Sequence, residues 1–248
     1  MRKRNLYQPD SKKPYALSRS KVHAFLECPR CFYVDRRLGV QPPSGPPFNI
    51  NSAVDHLLKK EFDSYRVKGK PHPLMKKAGI NAVPFAHEQL NDWRENFKGV
   101  RFHHKASGFE LTGAIDDLWQ DCDSGELIVV DYKATSKDGE VSLDAEWQIS
   151  YKRQMEFYQW LLRQNNFEVS DTGYFVYCNG DRSQDRFDGV MQFSINLIAY
   201  TGCADWIEDV LLDARECLES DELPPSNKGC KQCDYVQDLA GLNLLMPD

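Results

Sequence analysis

Two Cys-x-x-Cys pairs near opposite ends of the chain constrain its fold most strongly. The first pair is Cys28 and Cys31 in "CPRC", and the second is Cys230 and Cys233 in "CKQC". Pairs with this spacing are typical of a site in which four thiolates bind one metal centre. About 200 residues separate the pairs, so a shared site would close a long loop and constrain the unfolded chain considerably. We therefore expect the N- and C-terminal segments to be joined by a four-cysteine metal site.

The chain has 248 residues and eight cysteines, and no apolar segment follows its basic start "MRKRNLYQPD". A secretory signal would need such a segment, so we expect a reducing, cytoplasmic location in which thiols stay free or bind metal. No apolar run reaches the length of about 18 residues that a membrane span requires. We therefore expect no membrane partner.

Charge is distributed unevenly along the chain, although the formal net charge is −6. Residues 1–105 carry 21 Lys and Arg against 9 Asp and Glu, whereas residues 106–248 carry 10 against 28. A basic surface beside an acidic, cation-binding centre would suit a polyanion such as DNA. The alternative is that these charges mix on folding, and the sequence leaves both interpretations open.

Hydrophobic periodicity predicts helices and strands in an order typical of an α/β or α+β chain. Residues 1–17 are expected to form a loose basic arm, and residues 18–248 a single domain. Strands are predicted over 100–106, 109–120, 125–135, 172–178 and 189–195. Helices are predicted from Ser18 or Ser20 to Pro29, from Asn51 to about 65, and over 85–97, 145–165 and 197–219.

The segment "GELIVVDYKAT" is predicted to be a buried strand that ends in Asp131, Tyr132 and Lys133. Residues two apart share one face of a strand, so Asp131 and Lys133 lie together and Tyr132 points to the opposite face. A surface ion pair is one interpretation of Asp131 and Lys133. The other is a metal site with a positively charged group beside it.

A hairpin register connects this strand with Asp116 in the preceding run. If Gln120 pairs with Leu127, Asp116 lies directly opposite Asp131. Opposed like charges destabilise a sheet, and a cation between them would remove the repulsion. Ligands that are all oxygen favour Mg²⁺ or Mn²⁺ over zinc. The alternative is that Asp116 caps a turn and binds no ion.

Three motifs in this order resemble the PD-(D/E)XK nuclease superfamily, in its RecB/AddB-type branch, and are similar to the CRISPR-adaptation exonucleases. They are "GAIDDLW", "VVDYKAT" and "QMEFY". The resemblance implies a restriction-endonuclease-like α/β (α+β) fold with a central mixed sheet flanked by helices. The catalytic residues that it implies are Asp116, Asp131, Lys133, Gln154 and Tyr158, of which Lys133 would serve the attacking water and the last two would hold the DNA.

The resemblance also implies a metal shell for Mg²⁺ or Mn²⁺, formed by Asp116, Asp131 and the carbonyl of Tyr132. The superfamily places a further metal-binding His early in the second helix, and the matching position here is Asp55. His56 ranks second, because it lies about 100° further around the helix.

The enzymes that the chain resembles hold an iron–sulfur cluster on one early and three late cysteines. "CPRCFY" matches the early group, whereas the late group here has only two cysteines. The resemblance thus implies a [4Fe–4S] cluster on Cys28, Cys31, Cys230 and Cys233. A zinc ion on the same four thiolates is the alternative.

Together these features predict a metal-dependent deoxyribonuclease, an exonuclease on single-stranded DNA or splayed duplex ends. The resemblance implies CRISPR-adaptation or recombination proteins as partners and a role in antiviral defence. The alternatives are a non-catalytic DNA-binding or assembly module that keeps the fold and the cluster, and a zinc-stapled structural protein. Among the aromatic residues, Phe32, Tyr33 and Trp160 could stack on bases, but core packing is the favoured prediction.

Overall fold

The computed structural model describes residues 5–43 and 45–242. The α-helices of these residues are α1 Arg19–Glu27, α2 Pro29–Arg36, α3 Asn49–Arg66, α4 Pro73–Lys77, α5 Leu90–Trp93, α6 Ile149–Gln164, α7 Trp206–Glu219 and α8 Lys231–Gly241. The strands are β1 Tyr15–Ser18, β2 Ala82–Pro84, β3 Val100–His104, β4 Phe109–Gly113, β5 Asp117–Asp121, β6 Leu127–Thr135, β7 Thr172–Gly180 and β8 Phe193–Thr201. Contacts divide the chain into two compact units. The single domain over residues 18–248 stays a prediction.

The larger unit comprises Pro46–Phe102 and Gly113–Ala204 and is built on a five-stranded sheet of order β2-β5-β6-β7-β8. Strands β6 and β7 are parallel, whereas the other neighbours are antiparallel. Parallel neighbours need a long crossover connection, and α6 lies in that connection. The predicted mixed sheet with flanking helices is confirmed.

Alternation along β6 directs its side chains to two faces of the sheet. Ile128, Val130 and Tyr132 join a buried apolar cluster with Leu58 and Phe62 of α3. The intervening positions face the other way, where side chains of α6 contact them. The sheet therefore lies between α3 and α6, and the predicted orientation of its three terminal side chains is confirmed.

The smaller unit comprises the described residues up to Gly45, His103–Thr112, and those from Asp205 onward. Strand β1 pairs in parallel with β4, from Tyr15 opposite Phe109 to Ser18 opposite Thr112. Helices α1, α2 and α7 contact one another. This unit contains both Cys-x-x-Cys pairs, so both ends of the described chain belong to it.

Three strand predictions differ from the structure, and the first is the strand predicted over 189–195, which is observed as β8 over Phe193–Thr201. Tyr15–Leu17, the last residues of the segment predicted to be a loose arm, form β1 together with Ser18, because β4 supplies their hydrogen-bond partners. The run predicted as one strand over 109–120 is divided into β4 and β5, which belong to different sheets. The backbone leaves the extended ladder between them, at residues 114–116.

Two helix predictions are also wrong in extent. The helix predicted over 85–97 contracts to α5, four residues long. The helix predicted over 197–219 begins only at Trp206, because residues up to Thr201 continue β8 and pair with β7 along its whole length. Over residues 197–201, strand pairing overrides a helical pattern of apolar residues.

Asp117 is a fully buried carboxylate that joins β5 to two arginines of other segments. It accepts hydrogen bonds from Nη2 of Arg66 at 2.5 Å, Nη2 of Arg94 at 2.7 Å and the Tyr132 hydroxyl at 2.7 Å. Arg94 also binds both carboxylate oxygens of Asp63, at 2.9 and 3.0 Å. A buried charge is tolerated only when it is paired and hydrogen-bonded, so this network is a condition for folding of the larger unit.

We expect Asp117→Asn to lower the free energy of unfolding by about 3 kcal/mol, because two buried guanidinium groups lose their shared counter-charge. Urea denaturation at neutral pH measures the change. Asp144→Asn, at an exposed position, is the matched control and should leave stability within about 0.5 kcal/mol. Equal stability of the two variants would contradict the role assigned to Asp117.

Candidate active site

Strands β5 and β6 pair in the predicted register, with Gln120 opposite Leu127. This register brings Asp116, one residue before β5, to the level of Asp131. Asp116 itself lies in a bend outside the ladder, so it is not a strand residue as predicted. Its Oδ2 atom accepts the backbone N–H of Tyr132 at 2.9 Å. The side chain of Asp116 thus binds the β6 backbone at a position where the β5 backbone no longer pairs with β6.

Asp131 has no exposed surface, and both of its oxygens have partners. Lys133 forms an ion pair with Oδ2, and Nε2 of Gln154 donates to Oδ1 at 2.7 Å. The Lys133 ammonium also lies 4.4 Å from the centre of the Tyr151 ring. Burial lowers the pKa of Lys133, but the charges of Asp131 and Asp116 raise it more, and the net pKa is above its usual value. Lys133 is therefore a buried ammonium at neutral pH.

Gln154 and Tyr158 lie one turn apart on α6. Nε2 of Gln154 is 3.3 Å from the Tyr158 hydroxyl, and its Oε1 is 3.5 Å from Nζ of Lys133. Tyr158 is buried and packs on Gly113, where an added Cβ would lie 2.8 Å from the ring. This close approach explains the glycine of the "GAIDDLW" motif. Contact of Gln154 and Tyr158 with DNA stays a prediction.

Helix α3 contributes Asp55 and Lys59, which the sequence offered only as a possible phosphate contact on a solvated face and not as a partner of two carboxylates. Nζ of Lys59 is 2.9 Å from Oδ2 of Asp55 and 3.3 Å from Oδ1 of Asp116. Burial and the charge of Asp116 raise the pKa of Asp55. Lys59 lies four residues after Asp55, a helical spacing that could have identified the pair. His56 is exposed and takes no part in these contacts.

The donor atoms fit a hard divalent cation in their chemistry. Carboxylate oxygens are the ligands that Mg²⁺ and Mn²⁺ prefer, and Asp55 and Asp116 already share one ammonium. Within the described part of the chain, only the four cysteine sulfurs form a group of three or more ligand atoms that lie within 4.8 Å of one another. The oxygens of Asp55, Asp116 and Asp131 are not as close together as these sulfurs. An ion bound by Asp55 and Asp116 would compete with Lys59 for the same oxygens.

Arg94 connects Asp116 with the buried network around Asp117. Nε of Arg94 donates to the backbone carbonyl of Asp116 at 3.0 Å, while its Nη2 binds Asp117. Tyr132 contacts the same two aspartates, through its N–H and its hydroxyl. Sequence reasoning did not find Arg94, because no local spacing connects it with Asp116.

A cavity of about 100 Å³ opens beside these residues and is lined from α3, β6 and α6. Asp55, Lys133 and Tyr151 contribute to its wall. A space of this size holds a few water molecules or a hydrated ion rather than a nucleotide. The substrate would therefore approach its rim from solvent.

The four cysteines lie together in the smaller unit. Cys28 and Cys230 occupy the N-cap positions of α2 and α8, and Cys31 and Cys233 follow in the first turns. The sulfur of Cys31 is 3.6 Å from that of Cys230 and 3.5 Å from that of Cys233, and the Cys28–Cys233 distance is 3.8 Å. The predicted joining of the N- and C-terminal segments at a four-cysteine site is confirmed.

Helix N-termini favour thiolates at this site. Burial raises the pKa of Cys28, but hydrogen bonds from the backbone of Cys31 and Asn227 and from neighbouring thiols bring it down to about 7. The side chain of Asn227 also donates to the carbonyl of Glu27 at 2.9 Å. This bond connects the loop before α8 with the end of α1. The segments that carry the two cysteine pairs are therefore joined by a hydrogen bond as well as by contacts between their sulfurs.

The aromatic residues predicted to favour core packing do so. Phe32, Tyr33 and Trp160 are buried, so none presents a free face to a base. Within the described ranges, no helix combines the length and apolar composition needed to cross a bilayer.

A family model described as the PD-(D/E)XK nuclease superfamily matches residues 47–237 of the chain. Among solved structures, the "Crystal structure of SSO0001" matches with a TM-score of 0.43 and 17% sequence identity, covering 96% of this chain and 88% of that one. No curated protein matches the chain as a relative. PD-(D/E)XK nucleases use divalent metal ions to hydrolyse phosphodiester bonds of nucleic acids. The family match extends over most of the sequence, and the chain therefore belongs to the PD-(D/E)XK nuclease superfamily.

Proposed function

We propose that this nuclease is a Mg²⁺- or Mn²⁺-dependent deoxyribonuclease that digests single-stranded or splayed DNA from an end. The observation that carries the proposal is the ion pair between the buried carboxylate of Asp131 and Lys133. Asp131 lies at the level of Asp116, and the charge of Asp116 also raises the pKa of Lys133. A buried ion pair often stabilises a fold less than apolar residues of the same volume would, so a pair retained in this position is a candidate for a functional role. Positioned charges of both signs suit a reaction in which a phosphate gains negative charge.

In this proposal Asp116, Asp131 and Asp55 supply the oxygen ligands, together with the carbonyl of Tyr132. A bound divalent ion would supply an activated water and a polarised phosphate oxygen. The chain's own contribution is to hold these oxygens in place before substrate arrives. Hydrogen bonds to Asp116 from Arg94 and Tyr132 do this on one side.

Lys133 would neutralise the charge that develops on the phosphate and orient the attacking water. Its ammonium is held by Asp131, by Oε1 of Gln154 and by the ring of Tyr151. A group fixed by three neighbours needs little reorganisation during the reaction, and this is the origin of electrostatic stabilisation in a closed site. Gln154 would couple the position of the ammonium to that of Tyr158.

The finer assignment rests on the resemblance to the RecB/AddB-type branch and the CRISPR-adaptation exonucleases. From it we infer digestion from an end, partners among CRISPR-adaptation or recombination proteins, and a part in antiviral defence. A cytoplasmic location belongs to the same proposal, because thiolate metal ligands persist in a reducing compartment. A non-catalytic DNA-binding module that keeps the fold and the four-cysteine site is the second candidate, and absence of metal-dependent DNA cleavage by the natural chain would favour it.

For the four-cysteine site we propose one zinc ion. Four thiolates at about 2.3 Å from a single tetrahedral ion lie about 3.8 Å from one another. Three of the six sulfur–sulfur distances are 3.5 to 3.8 Å, and all four sulfurs lie within 4.8 Å of one another, which supports this occupant. In a [4Fe–4S] cluster each thiolate binds a different iron, so the sulfurs are held further apart. The ion would stabilise the smaller unit and take no part in hydrolysis.

We expect Lys133→Ala to lower the rate of DNA cleavage by about 10²–10³-fold, the effect of removing one positioned charge-stabilising group. The assay follows a labelled linear single strand with Mg²⁺, with Mn²⁺ and with EDTA. Lys98→Ala, at an exposed position, is the control and should cleave at the normal rate. Cleavage at an unchanged rate by Lys133→Ala would contradict the proposed mechanism.

A circular single strand tests the need for an end, and its digestion would indicate an endonuclease.

Purified protein should be colourless and contain one zinc ion per chain. Elemental analysis and the visible spectrum measure this, and Cys31→Ser should lose the metal whereas Cys122→Ser, at an exposed position, should keep it. Brown protein containing iron and acid-labile sulfide would overturn the zinc proposal and establish the cluster that the resemblance implies.

A further inference from the structure

Trp147 presents most of its indole ring to solvent at the entrance to α6. It is 60% exposed, whereas Trp93, Trp119 and Trp160 are at most 7% exposed. Tryptophan is highly buried on average, because its apolar area is large. An exposed indole beside a catalytic centre is therefore a candidate for substrate contact.

The backbone around Trp147 is well anchored. Gln148, the next residue, is 2% exposed. Its Nε2 donates to the Ser142 carbonyl at 2.6 Å, and its Oε1 accepts the Ala145 N–H at 2.9 Å. The Ser150 hydroxyl donates to the Trp147 carbonyl at 3.0 Å. These bonds fix the turn from which the indole projects, so its exposure follows from the fold.

Contacts lead from this indole directly to the reacting groups. The Trp147 and Tyr151 rings meet edge to face with their centres 5.3 Å apart. Nζ of Lys133 lies 4.4 Å from the centre of the Tyr151 ring and pairs with Asp131. Three side chains therefore connect solvent with the buried carboxylate.

Charge at the start of α6 also suits a nucleic-acid strand. Lys152 and Arg153 follow Tyr151 directly, and both are partly exposed. Cations beside exposed aromatic rings are the combination by which proteins hold single strands, the cations contacting phosphates and the rings stacking on bases. These contacts do not distinguish one sequence from another, because every nucleotide has a phosphate and every base has a π-face.

We propose that Trp147, supported by Tyr151, forms a stacking platform for a base of single-stranded DNA next to the phosphate that is cut. The proposal rests on the nuclease function proposed above and adds the residue that selects the substrate. Bases within a duplex are already stacked on each other and offer no free face. The platform therefore favours single strands and splayed ends, of any sequence.

The test compares cleavage of a linear single strand with cleavage of a blunt duplex. Trp147→Ala should lower kcat/KM on the single strand by about 10-fold or more, the loss expected for one stacked base. Trp147→Phe should recover most of the activity, since it restores a π-face. Phe187→Ala, which removes another exposed ring, should leave the rate unchanged. An equal loss on both substrates, or no loss on the single strand, overturns the platform.

Binding separates a failed platform from a failed nuclease assignment. In EDTA, which blocks metal-dependent cleavage, Trp147→Ala should weaken binding of a labelled oligo-dT by about 10-fold relative to the natural chain, measured by fluorescence anisotropy. If the natural chain does not cleave DNA but this loss of binding occurs, the nuclease proposal fails and the platform stands. If cleavage occurs and binding is unaffected by Trp147→Ala, the platform fails alone, and the exposed indole is left as a contact for a partner protein.

Discussion

The buried carboxylate of Asp131 sets the condition under which the larger unit can fold. A charge without exposed surface is tolerated only when both its oxygens have partners, and here Lys133 and Gln154 supply them. A slip of one residue in β6 would turn Asp131 toward the apolar cluster around Phe62. The register, the placement of α6 and the position of the ammonium are thus consequences of one contact. Stability and the proposed chemistry depend on the same pair.

The hairpin of β5 and β6 buries two carboxylates, which point to opposite faces of the sheet. Asp117 is satisfied by Arg66 and Arg94, and Asp131 by the groups presented from β6 and α6. Asp116 lies in the bend before β5 and keeps 23% of its side chain exposed. Among Asp116, Asp117 and Asp131, Asp116 is therefore the one that remains accessible to a ligand. The two buried pairs hold the bend in place, so an accessible acidic group is fixed without being buried itself.

The smaller unit depends on a different constraint. Its cysteine pairs come from opposite ends of the chain, and each pair begins at a helix N-terminus, where the backbone N–H groups favour negative sulfur. Metal binding to such a site contributes directly to folding, because the four thiolates are not assembled in the unfolded chain. The unit can therefore gain stability from an ion where a small apolar core alone would be marginal.

Local periodicity by itself determined much of this protein. It placed Asp131 and Lys133 on one face of β6 and separated Gln154 from Tyr158 by one helical turn, whereas the pairing of Gln120 with Leu127 was a hypothesis that the β5–β6 register confirms. These relations depend on the pitch of a helix and the two-residue repeat of a strand, which are properties of adjacent residues. The spacing within each cysteine pair was informative for the same reason.

Only the tertiary structure decided which distant charges meet. Arg66 lies 51 residues from Asp117 and Arg94 lies 23 residues from it, and no local pattern predicts either pairing. The break at Asp116, the ammonium of Lys59 between two carboxylates, and the exposure of Trp147 likewise depend on how separate elements pack. Burial decides the outcome in each case, because it makes a charge costly until a partner from elsewhere in the chain reaches it.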